Sequence, residues 1–376
     1  MKIYFDARMI DHPGIGRYIK CLLPLLAEDK ELDLHILGQR ERIKKALGMV
    51  NNIIDFNAPI YSIREQVGFL RLKKIIGNDI LHVPHYNIPV LKKFNLVVTL
   101  HDIIHILYPT GAKNKAASIY MKYMVKKALS SAEQVICVSN STKESIEKLF
   151  GIQGGNLTVI YEGIDKVFSR ITDQEYLDSI REKYKLPERF ILYVGSIRRH
   201  KNITGLLAAF EQFTKRVPDI WLVIAGRYSQ PINLKRPRVL YLGEVASDAD
   251  LAGIYNQACC LFNLSSYEGF GLTILEAQAC GVPVICSDIA PHMEIGGDGI
   301  AAVEPSYIDQ IYENLYNVLF EQDIRSRLIS RGTENAARFN WQSTAKKTIE
   351  VYKRLYNESS HNSRLAFGDA GRGKDT

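Results

Sequence analysis

Short runs of β-branched and other apolar residues alternate along the whole chain with longer stretches in which apolar residues recur every three or four positions. A strand buried on both faces reads as a continuous apolar run, and a helix covering it is apolar along one stripe, so the alternation is that of βαβ units. In the first half the runs predict strands at Lys2–Phe5, Leu34–Leu37, Ile80–Val83, Leu96–Leu100, Val135–Val138 and Leu157–Ile160. In the second half they predict strands at Phe190–Val194, Trp221–Ala225, Val239–Leu242, Cys260–Leu264, Val284–Ser287 and Gly299–Val303. The halves match in style. The expectation is an α/β protein of two Rossmann-like, doubly wound domains, which place ligands at the carboxyl ends of their strands.

Tyr161-Glu162-Gly163-Ile164-Asp165 leaves a strand through a glycine and reads as a hinge, which puts the domains at 1–164 and 165–341. From Trp341 to Tyr356, Ala345, Ile349, Tyr352 and Leu355 keep helical spacing. A helix over about 342–357 is expected to complete the first domain, and the polar, glycine-rich residues 358–376 to form a disordered tail.

Length supports two domains, since 376 residues exceed the size at which one core usually stops growing. Hydrophobic residues at 46% and charged residues at 24% supply two packed cores and exclude a disordered chain. No run approaches the roughly 20 apolar residues of a membrane span, and the chain opens directly into a strand, so a cytoplasmic protein without a signal peptide is expected. The sequons at Asn140, Asn156, Asn202 and Asn263 are then chance matches. Cys21, Cys137, Cys259, Cys260, Cys280 and Cys286 lie in apolar patterns with no C-x-x-C pair, and read as reduced core residues.

Charge adds one feature. Residues 1–165 hold 22 Lys and Arg against 16 acidic residues, while the remainder holds 26 against 25. Lys113, Lys115, Lys122, Lys126 and Lys127 sit among Tyr120, Met121, Tyr123, Met124 and Val125, and Arg64, Arg71, Lys73 and Lys74 among Phe69, Leu70 and Ile75. Two readings stay open: solvated helix faces, or attachment to an anionic membrane surface, where each cation contributes about 1 kcal/mol. No module for nucleic acid accompanies the charge.

The richest segment is Ser265-Ser266-Tyr267-Glu268-Gly269-Phe270-Gly271-Leu272-Thr273-Ile274-Leu275-Glu276. A strand, a glycine turn and a helix start make an anion site, because glycine lets backbone approach and the first N–H groups of the helix meet negative charge. Glu276 lies about 12 Å along the helix axis from Glu268, so the two carboxylates suit the two ends of one elongated polyhydroxyl ligand. Taken singly, either acid would read as an ordinary helix charge. The helix is expected to end at Gly281, before Pro283.

Residues Glu268 to Ile285 resemble the retaining glycosyltransferases of family 4, whose hallmark is E-G-F-G-x-x-x-x-E-A-x-A-x-G-x-P-V-I. The resemblance implies the GT-B architecture, two Rossmann-like domains facing across a cleft. It further implies that Glu268 contacts hydroxyls of the donor sugar, that Gly269, Phe270, Gly271, Leu272 and Thr273 approach sugar and phosphates, and that Glu276 holds the ribose. Gly14-Ile15-Gly16-Arg17-Tyr18 matches the family's glycine loop near the donor phosphates, and a dinucleotide fingerprint is disfavoured by Ile19 where a third glycine is needed. His101 matches the family's functional histidine at a strand end, with His82, His85 and Tyr86 as further candidates on the acceptor side. Lys201 matches the lysine that pairs with the diphosphate. The arginine that many relatives place directly after Gly195 is Ser196 here, which leaves Arg198 or Arg199 as substitutes. Arg227, Leu242 and Gly243 fit the nucleotide-binding wall. Asp248-Ala249-Asp250 spells a metal-binding D-x-D, but Ser247 before it makes a capping box of a helix over Asp250–Ala258.

The implied activity is metal-independent, cofactor-free transfer of a hexose from a nucleotide diphosphate sugar to a saccharide or lipid-linked saccharide, with catalytic roles for His101, Glu268 and Lys201. The opening glycine loop and general layout resemble bacterial mannosyltransferases of surface polysaccharide assembly, which favours GDP-mannose over UDP-glucose or UDP-N-acetylglucosamine. A sugar-nucleotide-binding subunit without catalysis and a sugar-nucleotide epimerase are the alternatives.

Overall fold

Each of the twelve apolar runs forms a strand, with ends displaced by a residue or so. The computed structural model describes residues 1–369 apart from 49, 92–93, 109–111, 153 and 228–232, and leaves the side chains of 112–114 and 359–369 undescribed. Two compact units result, one of residues 1–163 with 341–376 and one of residues 164–340.

The first unit carries strands β1 (Lys2–Asp6), β2 (Asp33–Gly38), β3 (Ile53–Asp55), β4 (Ile80–Val83), β5 (Asn95–Leu100), β6 (Gln134–Cys137) and β7 (Leu157–Val159). All pair in parallel, in the order β3-β2-β1-β4-β5-β6-β7. Its helices are α1 (Ile15–Glu28), α2 (Arg40–Leu47), α3 (Ile63–Ile76), α4 (Ile104–Leu107), α5 (Ala112–Ser131) and α6 (Asn140–Phe150). Gly16 lets α1 seat on the chain before it, since a Cβ there would stand 2.3 Å from the Ile10 carbonyl oxygen.

The second unit is built from β8 (Phe190–Val194), β9 (Trp221–Ala225), β10 (Val239–Gly243), β11 (Cys260–Asn263), β12 (Val284–Ser287) and β13 (Ile300–Val303), parallel in the order β10-β9-β8-β11-β12-β13. Helices α7 (Gln174–Tyr184), α8 (Ile203–Thr214), α9 (Asp248–Gln257), α10 (Leu272–Ala279), α11 (Ala290–Gly296), α12 (Ile308–Phe320) and α13 (Gln322–Ala336) cover it. Each sheet reverses its winding once, between β1 and β4 and between β8 and β11. Beyond the strand ends at such a reversal the connections diverge and leave room for a ligand.

Helix α14 (Trp341–Asp369) belongs to the first unit, where Trp341, Ala345, Val351, Tyr352 and Leu355 join Tyr18, Ile19 and Leu22 of α1 in one core. It is longer than its sequence pattern suggested: residues 358–369, expected to lie in the tail, continue the helix, and 370–376 fall outside the described residues. Four cysteines are buried and Cys21 and Cys259 half-buried, all as free thiols. Among the described residues no helix is long and apolar enough to cross a membrane.

His82, at the end of β4, is wholly buried, with Nδ1 2.5 Å from the Tyr352 hydroxyl and Nε2 2.8 Å from Thr99 Oγ1. Burial pushes its imidazole down to about 3. The folded ring therefore stays neutral over the range in which an unfolded histidine, with a pKa of about 6.5, takes up a proton. Stability is lost as pH falls below that unfolded value, by up to about 1.4 kcal/mol per pH unit for this group. Between pH 7 and 5 the melting temperature of His82→Gln should accordingly vary less steeply than that of the wild type; identical slopes would show that His82 is not held neutral.

Candidate active site

The chain beyond β8 and the chain beyond β11 meet at the reversal point of the second sheet. Ser266 ties them, its backbone N–H and its hydroxyl both donating to the His200 carbonyl at 2.7 and 3.0 Å. That tie places Lys201 Nζ 2.5 Å from Glu268 Oε1, with both side chains largely buried. After Glu268 the turn reaches Gly271, whose φ of 114° a side chain rarely adopts, and α10 starts at Leu272 and Thr273. Glu276, one helical turn from the end of α10, is 2% exposed and accepts a hydrogen bond from the Tyr255 hydroxyl at 2.9 Å. Phe270 is buried beside Phe339, ring centroids 6.0 Å apart.

Burial alone would raise Glu268, but the charge of Lys201, with hydrogen bonds from Lys201 and Ser265, outweighs it and holds the carboxyl below its ordinary value. It is therefore ionised at neutral pH. His292, the third residue of α11, was not singled out from the sequence, because an isolated histidine in an apolar stretch carries no motif. It is wholly buried. Its Nδ1 donates to the Ser287 carbonyl at 2.9 Å, and its Nε2 has no partner among the described residues.

The remaining donor-side candidates spread along the same ends of the sheet. Arg198 and Arg199 are exposed, and neither enters the Lys201–Glu268 pair. Arg227 donates from Nε to Glu244 Oε2 at 2.7 Å, an exposed pair. Leu242 and Gly243 are half-buried at the end of β10, where the Gly243 carbonyl accepts the Gly226 N–H at 2.7 Å. Ser247 caps α9 by accepting from the Asp250 N–H, and Asp250 itself accepts from Lys183 and the Tyr184 hydroxyl at 2.6 and 2.5 Å. The carboxylate of the D-x-D thus has structural partners, although the helix begins at Asp248 rather than Asp250.

In the first unit Gly14 caps α1, Gly16 packs on Ile10, and His101 follows β5. His101 Nδ1 lies 2.8 Å from Glu162 Oε1, and Nε2 is buried without a partner among the described residues. The carboxylate accepts, so the proton sits on Nδ1. The Tyr18 ring meets the imidazole edge-on at 4.9 Å. Glu162 was read only as part of the hinge. Its buried place, 4% exposed, becomes visible only once β7 is set beside β6.

His82 lies inside the core and presents no atom outward, so its place among the acceptor-side candidates gives way to a structural role. His85 accepts the Asn87 N–H at Nδ1 and therefore donates from Nε2 to the Tyr61 hydroxyl, 3.1 Å away, which also accepts from Tyr86 at 3.0 Å. Below them Arg8, nearly buried, pairs with Asp6 at 2.5 Å and Glu65 at 2.7 Å and stacks on Phe56. No sequence motif marks that cluster.

Two family models match, "Glycosyltransferase Family 4" over residues 14–167 and "Glycosyl transferases group 1" over residues 178–335. The O-antigen chain mannosyltransferase B of Escherichia coli is 28% identical over 94% of this chain and all of its own length. The O-antigen chain mannosyltransferase RfbU of Salmonella typhimurium is 28% identical over 78% of this chain and 83% of its own. Among solved structures, sucrose-phosphate synthase from Thermosynechococcus elongatus superposes with a TM-score of 0.76 at 21% identity, covering 95% of this chain and 100% of that one. WaaG, a glycosyltransferase of lipopolysaccharide biosynthesis, gives 0.72 at 14% identity, covering 94% and 99%. With both units matched to the family and the fold shared with these structures, the chain belongs to the family 4 glycosyltransferases of GT-B fold.

Proposed function

We propose that the chain transfers mannose from GDP-mannose, with retention at C1, to a saccharide or lipid-linked saccharide acceptor during assembly of a cell-surface polysaccharide. The buried Lys201–Glu268 pair at the head of α10 carries this reading. The names of the relatives, mannosyltransferases of O-antigen chains, support the sugar.

Breaking the bond from C1 to phosphate leaves positive charge on the ring and negative charge on the diphosphate. Lys201 donates one of its protons to Glu268, and its other protons, together with the first N–H groups of α10, serve the diphosphate oxygens without a metal. Glu268, ionised and holding Lys201 through Oε1, has Oε2 to accept sugar hydroxyls. Glu276 grips the ribose, and Arg227, Leu242 and Gly243 flank the base. The acceptor hydroxyl attacks from the face the leaving group departs, and a phosphate oxygen takes its proton.

A thermal-shift screen of GDP-, UDP-, ADP- and dTDP-sugars should single out GDP-mannose, and transfer of its mannose should persist in EDTA with the α configuration kept in the product. A response to another base, or an inverted product, would overturn the assignment.

His101 is proposed to serve the acceptor through Nε2, with Glu162 fixing the tautomer by accepting from Nδ1. Glu162→Gln offers an amide that can donate to Nδ1 and so move the ring proton to Nε2. We expect kcat to fall at least about tenfold with the donor KM unchanged. Equal turnover in the variant would remove His101 from the chemistry.

The first unit also carries exposed apolar residues among its cations. Ile63 is 85% and Ile119 72% exposed, with Leu70, Ile75 and Tyr123 also open to solvent, and Arg64, Arg71, Lys73, Lys74, Lys115, Lys122 and Lys126 are exposed on the same two helices, α3 and α5. Apolar side chains that insert beside cations that attract phosphate suit an anionic membrane surface and a lipid-linked acceptor. The protein should float with liposomes containing phosphatidylglycerol and stay behind with pure phosphatidylcholine; indifference to lipid charge would end this reading.

A further inference from the structure

A buried nitrogen with no partner costs about 1–3 kcal/mol unless a ligand or water fills the need. Among the described residues of the second unit His292 Nε2 is such an atom, in a side chain with no exposed surface. Its orientation is fixed from behind. Nδ1 donates to the Ser287 carbonyl at 2.9 Å, with Ser287 Oγ 3.1 Å away, and the Ser287 hydroxyl donates to the Ser265 carbonyl. With its proton held at Nδ1, a neutral ring offers a lone pair at Nε2. Burial, aided by Lys201, keeps the ring neutral against the pull of Glu268 and the Ser287 carbonyl.

The surroundings of that lone pair indicate what it meets. The Ser287 hydroxyl beside the ring donates to the Ser265 carbonyl, three residues before Glu268, so the ring sits against the strand end from which Glu268 leaves. The ring edge lies toward Gly271: a Cβ built there would sit 3.9 Å from Cδ2, the carbon next to Nε2. An ionised carboxylate and an imine nitrogen are both acceptors. A phosphate, another acceptor, is repelled there, whereas a ligand rich in hydroxyl donors satisfies both.

We propose that His292 is a sugar-binding residue whose Nε2 accepts a hydrogen bond from a hydroxyl of the transferred hexose, beside Glu268. This rests on the assignment of the second unit to the nucleotide sugar. It extends the donor site to α11, outside the glutamate motif, and makes the residue a reader of the sugar rather than of the nucleotide.

Two substitutions separate binding from folding. His292→Asn keeps an amide N–H to reach the Ser287 carbonyl but has nothing at the Nε2 position, whereas His292→Gln brings an acceptor oxygen close to it. By titration calorimetry, His292→Asn should bind GDP-mannose about tenfold more weakly than wild type, with GDP affinity changed less than about twofold, and His292→Gln should recover most of the loss. One monodeoxy analogue of GDP-mannose should lose affinity for wild type yet bind His292→Asn no worse than GDP-mannose does. Equal losses for GDP and GDP-mannose, equal losses in both variants, or no change in either would overturn the role of His292 and leave the donor assignment standing. Wild type that binds GDP but not GDP-mannose, or neither, would instead sink the donor assignment, and this role with it.

Discussion

The second unit depends on one constraint: β8 and β11 are neighbours in a parallel sheet although another strand pair lies between them in the chain. Parallel pairing aligns their carboxyl ends, so the loops that follow leave from the same edge. Lys201 and Glu268, 67 positions apart, meet there as a largely buried ion pair. A pair of this kind is weak evidence for stability, since desolvation offsets much of the attraction. Its value lies in preorganisation, because a cation and an anion already desolvated and oriented need little rearrangement when a charged leaving group forms.

Around that pair the second unit sorts its polar groups by sign. Lys201 and the amide end of α10 offer donors, which suit phosphate. Glu268 and His292 offer acceptors, which suit hydroxyls. A nucleotide sugar is an anionic diphosphate joined to a donor-rich ring, and the division within the site parallels that within the molecule.

The first unit is organised differently. Its polar groups are buried in networks that hold side chains in place: His82 between Thr99 and Tyr352, and Arg8 between Asp6 and Glu65 over Phe56. Removing one member of a buried charge pair leaves an uncompensated charge, typically at about 3–5 kcal/mol, so such networks tolerate little change. Helix α14 enters this unit from the far end of the chain, and its Tyr352 bonds His82. The rigid setting of His101 therefore rests partly on residues read last.

Much was legible in the sequence because the responsible physics is local. Apolar runs marked twelve strands, since a strand covered on both faces cannot be polar. The glycine turn before α10 and the Ser247 cap of α9 were readable because each acts within a few residues. Short β3 was missed: three residues at a sheet edge, with only the first buried, leave no apolar run. The helical continuation of α14 past 357 was missed for a similar reason, as its polar residues show no apolar stripe. What only tertiary structure decided was proximity. That His82 is core, that Glu162 holds His101, and that His292 buries a nitrogen unpartnered among the described residues all follow from sheet order and helix packing. Contacts between residues far apart in the chain leave no periodicity behind, whereas secondary structure does.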